Sequence, residues 1–331
     1  MKKKVIFDCD PGHDDALALM LAVHHLDVLG VSTIGGNCSL EHVTKNALKI
    51  MELTGHPEIP VYAGHSCPMV APLVTAPEFH GPDGLGGVDL PAPKIQAQKM
   101  HAVDFIVETA RQFGRADDDR LTVIATGPLT NIAAAINRAP DIVEHIKEIS
   151  LMGGSVSFGN WTPAAEFNIF VDPEAAYRVF NSGIHIKMSG LNLTRQWPIG
   201  DAEIERVRKI GTRAADKAAD MLAFFVDSSA KAENFREGLL HDPCAVAWLI
   251  KPELVKSVSM HITVELKGEF TRGMTVCDSR HLRTPKPEVD YAREPRLGRQ
   301  PGGREANAEA GMELDGEGCM DLLCETIGEI I

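Results

Sequence analysis

The sequence predicts an α/β fold: a single large domain on a predominantly parallel central sheet, Rossmann-like at its core, with additional C-terminal helices and strands. Three observations predict it. Short apolar runs alternate with helix-like stretches along the first half of the chain, as strand–helix–strand units do. The breaks between them are rich in Gly and Pro, which punctuate such units. The length of 331 residues, 44% of them hydrophobic, suffices to bury a sizeable core.

Taken in order, residues 5–7 read as the first strand and 16–23 as a helix. Residues 28–34 form a strand, 40–53 a helix and 61–63 a short strand. Residues 69–93 are irregular, being crowded with Gly and Pro. A helix follows at 102–113, and strands at 121–125 and 149–152 flank a short helix at 131–136. Asp172-Pro173 opens a helix that stops at Gly183, and 184–188 is a strand. From 201 to about 250 the pattern turns helical. Strands return at 258–266 and 274–277, and a helix closes the chain near 320–327. Residues 287–305, with Arg293, Arg296, Arg299 and Arg304 among Pro and Gly, read as a flexible surface insertion. No internal repeat is visible.

Composition excludes several functions. Thirty-three basic against 46 acidic residues give a formal charge of −13, which disfavours nucleic acid and anionic membrane surfaces. Seven cysteines without a C-x-x-C pair suggest free thiols in a reducing compartment rather than zinc or a disulfide framework. The apolar run after Met1-Lys2-Lys3-Lys4 is too short for a signal peptide, and no stretch has the roughly 18 apolar residues of a membrane span. A cytoplasmic protein is expected.

The most informative segment is Asp8-Cys9-Asp10-Pro11-Gly12-His13-Asp14-Asp15. Two like charges ~4 Å apart repel by about 4 kcal/mol at an effective dielectric near 20. Four carboxylates between a strand and a helix therefore call for positive charge. The helix N-terminus supplies some; a hard divalent cation with oxygen ligands would supply more. Singly, each Asp reads as a cap or a solvated loop residue.

This segment resembles the N-terminal signature of the inosine–uridine-type nucleoside hydrolases. Further blocks follow in that family's order: Gly36-Asn37, Phe79-His80-Gly81, Thr126-Gly127-Pro128 through Asn131, Gly153-Gly154, Asn160-Trp161 through Asn168, Asp172-Pro173-Glu174 and His241-Asp242-Pro243. The resemblance implies hydrolysis of the N-glycosidic bond of ribonucleosides to ribose and free base. It implies a Ca²⁺ held by Asp10, Asp15, the Thr126 carbonyl and Asp242, with Asp10 as general base toward a water acidified by the ion. Asp14, Asn37, Asn160, Glu166 and Asn168 are the implied sugar ligands. His241 is the implied acid for the departing base, and His80 a second candidate in a loop placed to fold over substrate. Glu166 and Asn168, two apart, would share one face of an extended segment, with Phe167 and Ile169 packed on the other. Read alone, Asp242 before Pro243 is a helix N-cap.

Residues 160–168 look most like bacterial members that prefer pyrimidine nucleosides. No Tyr occurs in residues 224–235, where some members place one against the base. Uridine and cytidine are the expected substrates, and a homodimer or homotetramer the expected assembly. Two alternatives stand beside this reading. A non-catalytic Ca²⁺-dependent nucleoside or ribose binder would use the same ligands. A haloacid-dehalogenase-like Mg²⁺ phosphatase would use Asp8 as nucleophile, with Gly200-Asp201 imitating its later motif.

Overall fold

A computed structural model describes residues 2–116, 119–233, 238–280 and 305–330. Its sheet grows from short, fully buried apolar runs. In β1 (Lys4–Cys9), Val5, Phe7 and Cys9 join the core on one face and Ile6 the core on the other, following the two-residue period of a strand. Parallel strands covered on both faces have no solvent side, so their apolar residues run nearly continuously.

The other strands are β2 (Asp27–Thr33), β3 (Val61–Ala63), β4 (Leu121–Ala125), β5 (Ile146–Met152), β6 (His185–Ser189), β7 (Pro198–Ile199) and β8 (Gly238–Leu239). They are followed by β9 (Val255–Met260), β10 (Ile262–Val264), β11 (Thr275–Cys277) and β12 (Ala308–Leu314). The central sheet has the order β3-β2-β1-β4-β5-β6-β12-β9. Its pairs are parallel except β12 with β9, and β10–β11 and β7–β8 form small antiparallel ribbons. The predicted strand class and order of elements therefore hold for most of the sheet. Two details differ. The predicted strand 258–266 is broken into β9 and β10, which belong to different sheets. Segment 69–93 holds a one-turn helix, Pro77–His80. The 287–305 insertion lies outside the described residues except for Glu305.

Chain order reverses at β1, which pairs with β2 on one side and β4 on the other. Ligands of open α/β sheets gather at such a switch point, beyond the carboxyl ends of the strands. Helix His13–His25 leaves β1 there, and His13 to Val23 are all buried. Its run Ala16-Leu17-Ala18-Leu19-Met20-Leu21 is apolar all round, as a helix enclosed on every side requires. It packs against helix Asp242–Ile250, another buried element. Two helix N-termini are thereby brought to the same end of the sheet. Among the described residues no helix is long and apolar enough to cross a membrane.

Candidate active site

A cavity opens at this end of the sheet. Asp14, Asn37, Thr126, Asn160, Glu166, Asn168, His80, His241 and Asp242 all line it. Residues scattered over most of the sequence thus meet in one place, most of them just after a strand or at the start of a helix. Asp10 and Asp15 lie behind that wall, fully buried and hydrogen-bonded to the lining residues Asn37 and Thr126.

The acidic part is built from backbone turns. Asp15 Oδ2 accepts from the Gly12 N–H at 3.0 Å and from Asn37 Nδ2 at 3.2 Å, and its Oδ1 accepts from Thr126 Oγ1 at 2.7 Å. Asp10 Oδ2 accepts from the Asn37 N–H at 2.7 Å. Pro11 and Gly12 turn the chain so that both aspartates meet Asn37, which follows β2. Glycine is needed around Asp10: a Cβ on Gly127 would sit 2.5 Å from its Oδ1, and one on Gly36 would collide with its Oδ2.

One carboxylate oxygen from each of Asp14, Asp15 and Asp242 lies within 4.8 Å of the others. At that separation each ionised pair repels by about 3 to 4 kcal/mol at an effective dielectric near 20. Among the described residues no Lys or Arg pairs with any of them. Burial therefore pushes Asp14 and Asp15 up to about 6, with the Asp14 charge adding to the effect on Asp15. Asp10 is raised well above the usual range by burial and then by Asp15. Asp242 is raised likewise, by burial and then by Asp14, Asp15 and Asp10. Asp10 Oδ1 and Asp14 Oδ1 are buried without a hydrogen-bond partner among the described residues. Crowded, uncompensated oxygen donors with open lone pairs fit a hard divalent cation, and the absence of a nearby thiol or imidazole in the group fits Ca²⁺ or Mg²⁺ better than zinc. The tightest group contains Asp14, expected as a sugar ligand, with Asp10 standing beside it. The Thr126 carbonyl, expected as a cation ligand, accepts from Asn168 Nδ2 at 2.8 Å and keeps a second lone pair.

Three expectations need correction. Residues 166–169 are not an extended segment. Phe167–Val171 is a helix, and Glu166 caps it, accepting from the Asn168 and Ile169 N–H groups at 2.8 and 3.1 Å. Glu166 also accepts from the Gly154 N–H at 2.8 Å, so it ties the turn after β5 to this helix; burial lifts its carboxyl to about 7. Phe167 consequently lines the cavity instead of packing away from it, whereas Ile169 is buried in the core. Asp242 is not an N-cap but the first helical residue, preceded by His241. The cause is the same in the first and third cases: a polar residue beside a helix start can cap it or face outward, and spacing alone does not distinguish the two.

The cavity also has an aromatic lining. Phe79, Trp161, Phe167 and Phe225 line it with His80 and His241. His80 ends the Pro77–His80 turn and stacks on His13, with ring centroids 5.4 Å apart. The Phe79 carbonyl accepts from Ser228 Oγ at 2.8 Å, fastening this segment to helix Arg213–Glu233. In the structure the expected covering segment is packed against that helix. Burial lowers His80 to about 4. It lowers His241 to about 3, the Arg195 charge adding to the effect. Both rings are neutral at pH 7. His241 Nδ1 is 2.7 Å from Thr194 Oγ1. Asn160 Oδ1 accepts from the Phe167 N–H at 3.0 Å, and Asn168 Nδ2 also reaches the Met152 carbonyl at 3.1 Å.

Sequence reasoning missed Trp161, Phe225, Ser229 and Arg195. Phe225 and Ser229 are four apart on one helix, a spacing that puts them on one face, but nothing in the sequence marks that face as a cavity wall. Asp8, the nucleophile of the phosphatase alternative, is buried in β1. It accepts from Ser32 Oγ and from Asn131 Nδ2, 2.5 and 2.9 Å away, and does not line the cavity. Asp201 starts an exposed helix and does not line the cavity either.

Comparison with known proteins agrees with this geometry. A family model described as inosine-uridine preferring nucleoside hydrolase matches residues 5–320. The pyrimidine-specific ribonucleoside hydrolase RihA of Enterobacter sp. (strain 638) is 40% identical over 332 residues, covering 99% of both chains. Its namesake from Salmonella gallinarum is 39% identical over 330 residues, with the same coverage. Among solved structures, a purine-preferring ribonucleoside hydrolase from Gardnerella vaginalis superposes with a TM-score of 0.86 at 32% identity, covering 99% of each chain.

Proposed function

The chain belongs to the inosine-uridine preferring nucleoside hydrolase family, enzymes that cleave N-glycosidic bonds, and on that premise we propose that it hydrolyses uridine and cytidine to ribose and free base. One observation carries the reading. Carboxylates from the first and last thirds of the chain meet at a cavity that is also lined by aromatic rings and imidazoles. The carboxylates suit a sugar diol, the rings a planar base.

The cation of this reading is Ca²⁺, held by Asp10, Asp15, Asp242 and the Thr126 carbonyl, with Asp14 close enough to join them. When bound, it neutralises the acidic part and makes a water more acidic. Asp10 takes a proton from the attacking water; the Asn37 N–H fixes its Oδ2 and leaves Oδ1 for that task. Asn168 spends its amide donors on two carbonyls, leaving Oδ1 to accept from a ribose hydroxyl. Glu166 Oε1 accepts a single backbone N–H and retains a lone pair for another hydroxyl. Asp14, Asn37 and Asn160 complete the grip on the sugar. These contacts favour the oxocarbenium-like sugar by strengthening as positive charge develops on it. His241 and His80, neutral imidazoles, donate hydrogen bonds to the base as it leaves.

The pyrimidine preference is supported by relatives at 39 and 40% identity named pyrimidine-specific. The purine-preferring enzyme has a similar fold at lower identity, so the fold alone does not set the preference. Seven free cysteines support a reducing, cytoplasmic location. A homodimer or homotetramer belongs to the same reading and is measured by light scattering. The decisive test measures reducing sugar from uridine, cytidine, inosine and adenosine, with p-nitrophenyl phosphate alongside. Ribose from the pyrimidine nucleosides, lost in Asp10→Ala, supports the proposal. Tight binding without product would make the protein a binder, and nitrophenol would make it a phosphatase.

A further inference from the structure

We propose that Arg195 determines leaving-group specificity by stabilising negative charge on the departing pyrimidine. The inference rests on the nucleoside hydrolase reading and deepens it. Among the described residues, Arg195 is the one Lys or Arg lining the cavity. It follows helix Leu191–Thr194, whose last residue holds His241 through the Thr194 hydroxyl. Its guanidinium lies over the Phe158 ring, 4.5 Å from the centroid. Thr194, its chain neighbour, bonds His241, and Arg195 lines the cavity together with that ring. Other arginines of the protein are neutralised by carboxylates: Arg111 by Asp141, Arg206 by Glu317 and Asp321, Arg272 by Glu174. Among the described residues no carboxylate pairs with Arg195. A cation kept unpaired on an aromatic shelf at a cavity wall is suited to an anion that forms transiently.

Cleavage creates such an anion. The C1′–N1 bond breaks with both electrons passing to the base, where the charge spreads from N1 onto the ring carbonyl oxygens. Water adds to C1′ and gives up one proton, and the base later gains one, so the products are ribose and neutral base. A neutral imidazole gives the departing ring a hydrogen bond but no charge. A guanidinium gives both, through a planar fork matched to carbonyl oxygen.

The test compares Arg195→Met and Arg195→Lys with the wild type on uridine and on p-nitrophenyl β-D-riboside, whose nitrophenolate leaves without help. Arg195→Met is expected to lower kcat/KM for uridine by roughly 10- to 100-fold, less than a buried oxyanion donor would because the side chain is exposed. The loss on the nitrophenyl riboside should stay within about 3-fold, and Arg195→Lys should fall between on uridine. Intact nitrophenyl riboside turnover also shows that the variant is folded. Unchanged uridine turnover, or equal losses on both substrates in both variants, would overturn the proposal. Wild-type protein that releases ribose from neither substrate would instead overturn the nucleoside hydrolase reading itself.

Discussion

One part of the site is acidic: Asp14, Asp15 and Asp242 crowd together with their neighbours held by backbone N–H groups; another is aromatic, with Phe79, Trp161, Phe225 and His80 lining the cavity. The acidic part costs stability: its carboxyls are buried, alike and, among the described residues, without a basic partner. The aromatic part adds stability, because rings packed against one another bury apolar surface. A protein keeps the first kind of region only for what it can bind or catalyse, whereas the second would persist as packing alone. Substitutions in the two parts should therefore differ in sign as well as in size.

The largest effect is expected for Asp10→Asn. On the proposed function, loss of the general base should lower kcat by about 10³-fold. The cation-free melting temperature at alkaline pH should stay level or rise, since a carboxyl whose ionisation burial disfavours is gone. A fall in melting temperature would break the comparison. Next comes Gly36→Ala, whose Cβ would push on Asp10 Oδ2. Displacing a reacting group by about 1 Å can cost on the order of 10²-fold, and steady-state kinetics should show it in kcat. Phe225→Ala removes a ring from the aromatic lining. It should raise KM by roughly 10-fold with kcat little changed, the mark of lost uniform binding; a fall in kcat instead would mean that this lining takes part in the chemistry.

The smallest effect concerns pH. Asp14 and Asp15 are raised to about 6 in the folded protein, and Asp10 and Asp242 are also raised well above their ordinary range. Groups raised in this way stabilise the fold below the ordinary carboxyl range, and that contribution is lost as pH rises through 6 and beyond. Chelated protein should therefore melt at a lower temperature at pH 8 than at pH 5. Ca²⁺ at about a hundred times its dissociation constant should restore about 2.7 kcal/mol, or roughly 5 °C, at pH 8, and less at pH 5. Differential scanning fluorimetry with and without chelator reads both.

The two parts also differed in how far the sequence revealed them. Asp8 to Asp15 form one unbroken segment, and crowded like charge is a signal in itself. Asp242 and His241 were found only through family resemblance, because an Asp before Pro243 is an ordinary helix start. The aromatic part has no such segment. Trp161, Phe225 and Arg195 come from three different elements, and each has a common role elsewhere as core or surface. Glu166 shows the converse limit: its place in the cavity was anticipated, but its work as a helix cap was not, since hydrogen bonds to Gly154 depend on where β5 ends. The sheet was legible because its strands are apolar throughout. The split between β9 and β10 was not, because a change of sheet leaves no mark on hydropathy.

The close packing of helix His13–His25 against helix Asp242–Ile250 has a bearing on biosynthesis. A polypeptide still emerging from the ribosome exposes Asp10 and Asp15 early, but Asp242 arrives only after more than two hundred further residues. Until then, on the proposed function, the nascent chain holds only part of the proposed ligand set, and a chain ending upstream of that helix is expected neither to bind the cation nor to turn over a nucleoside.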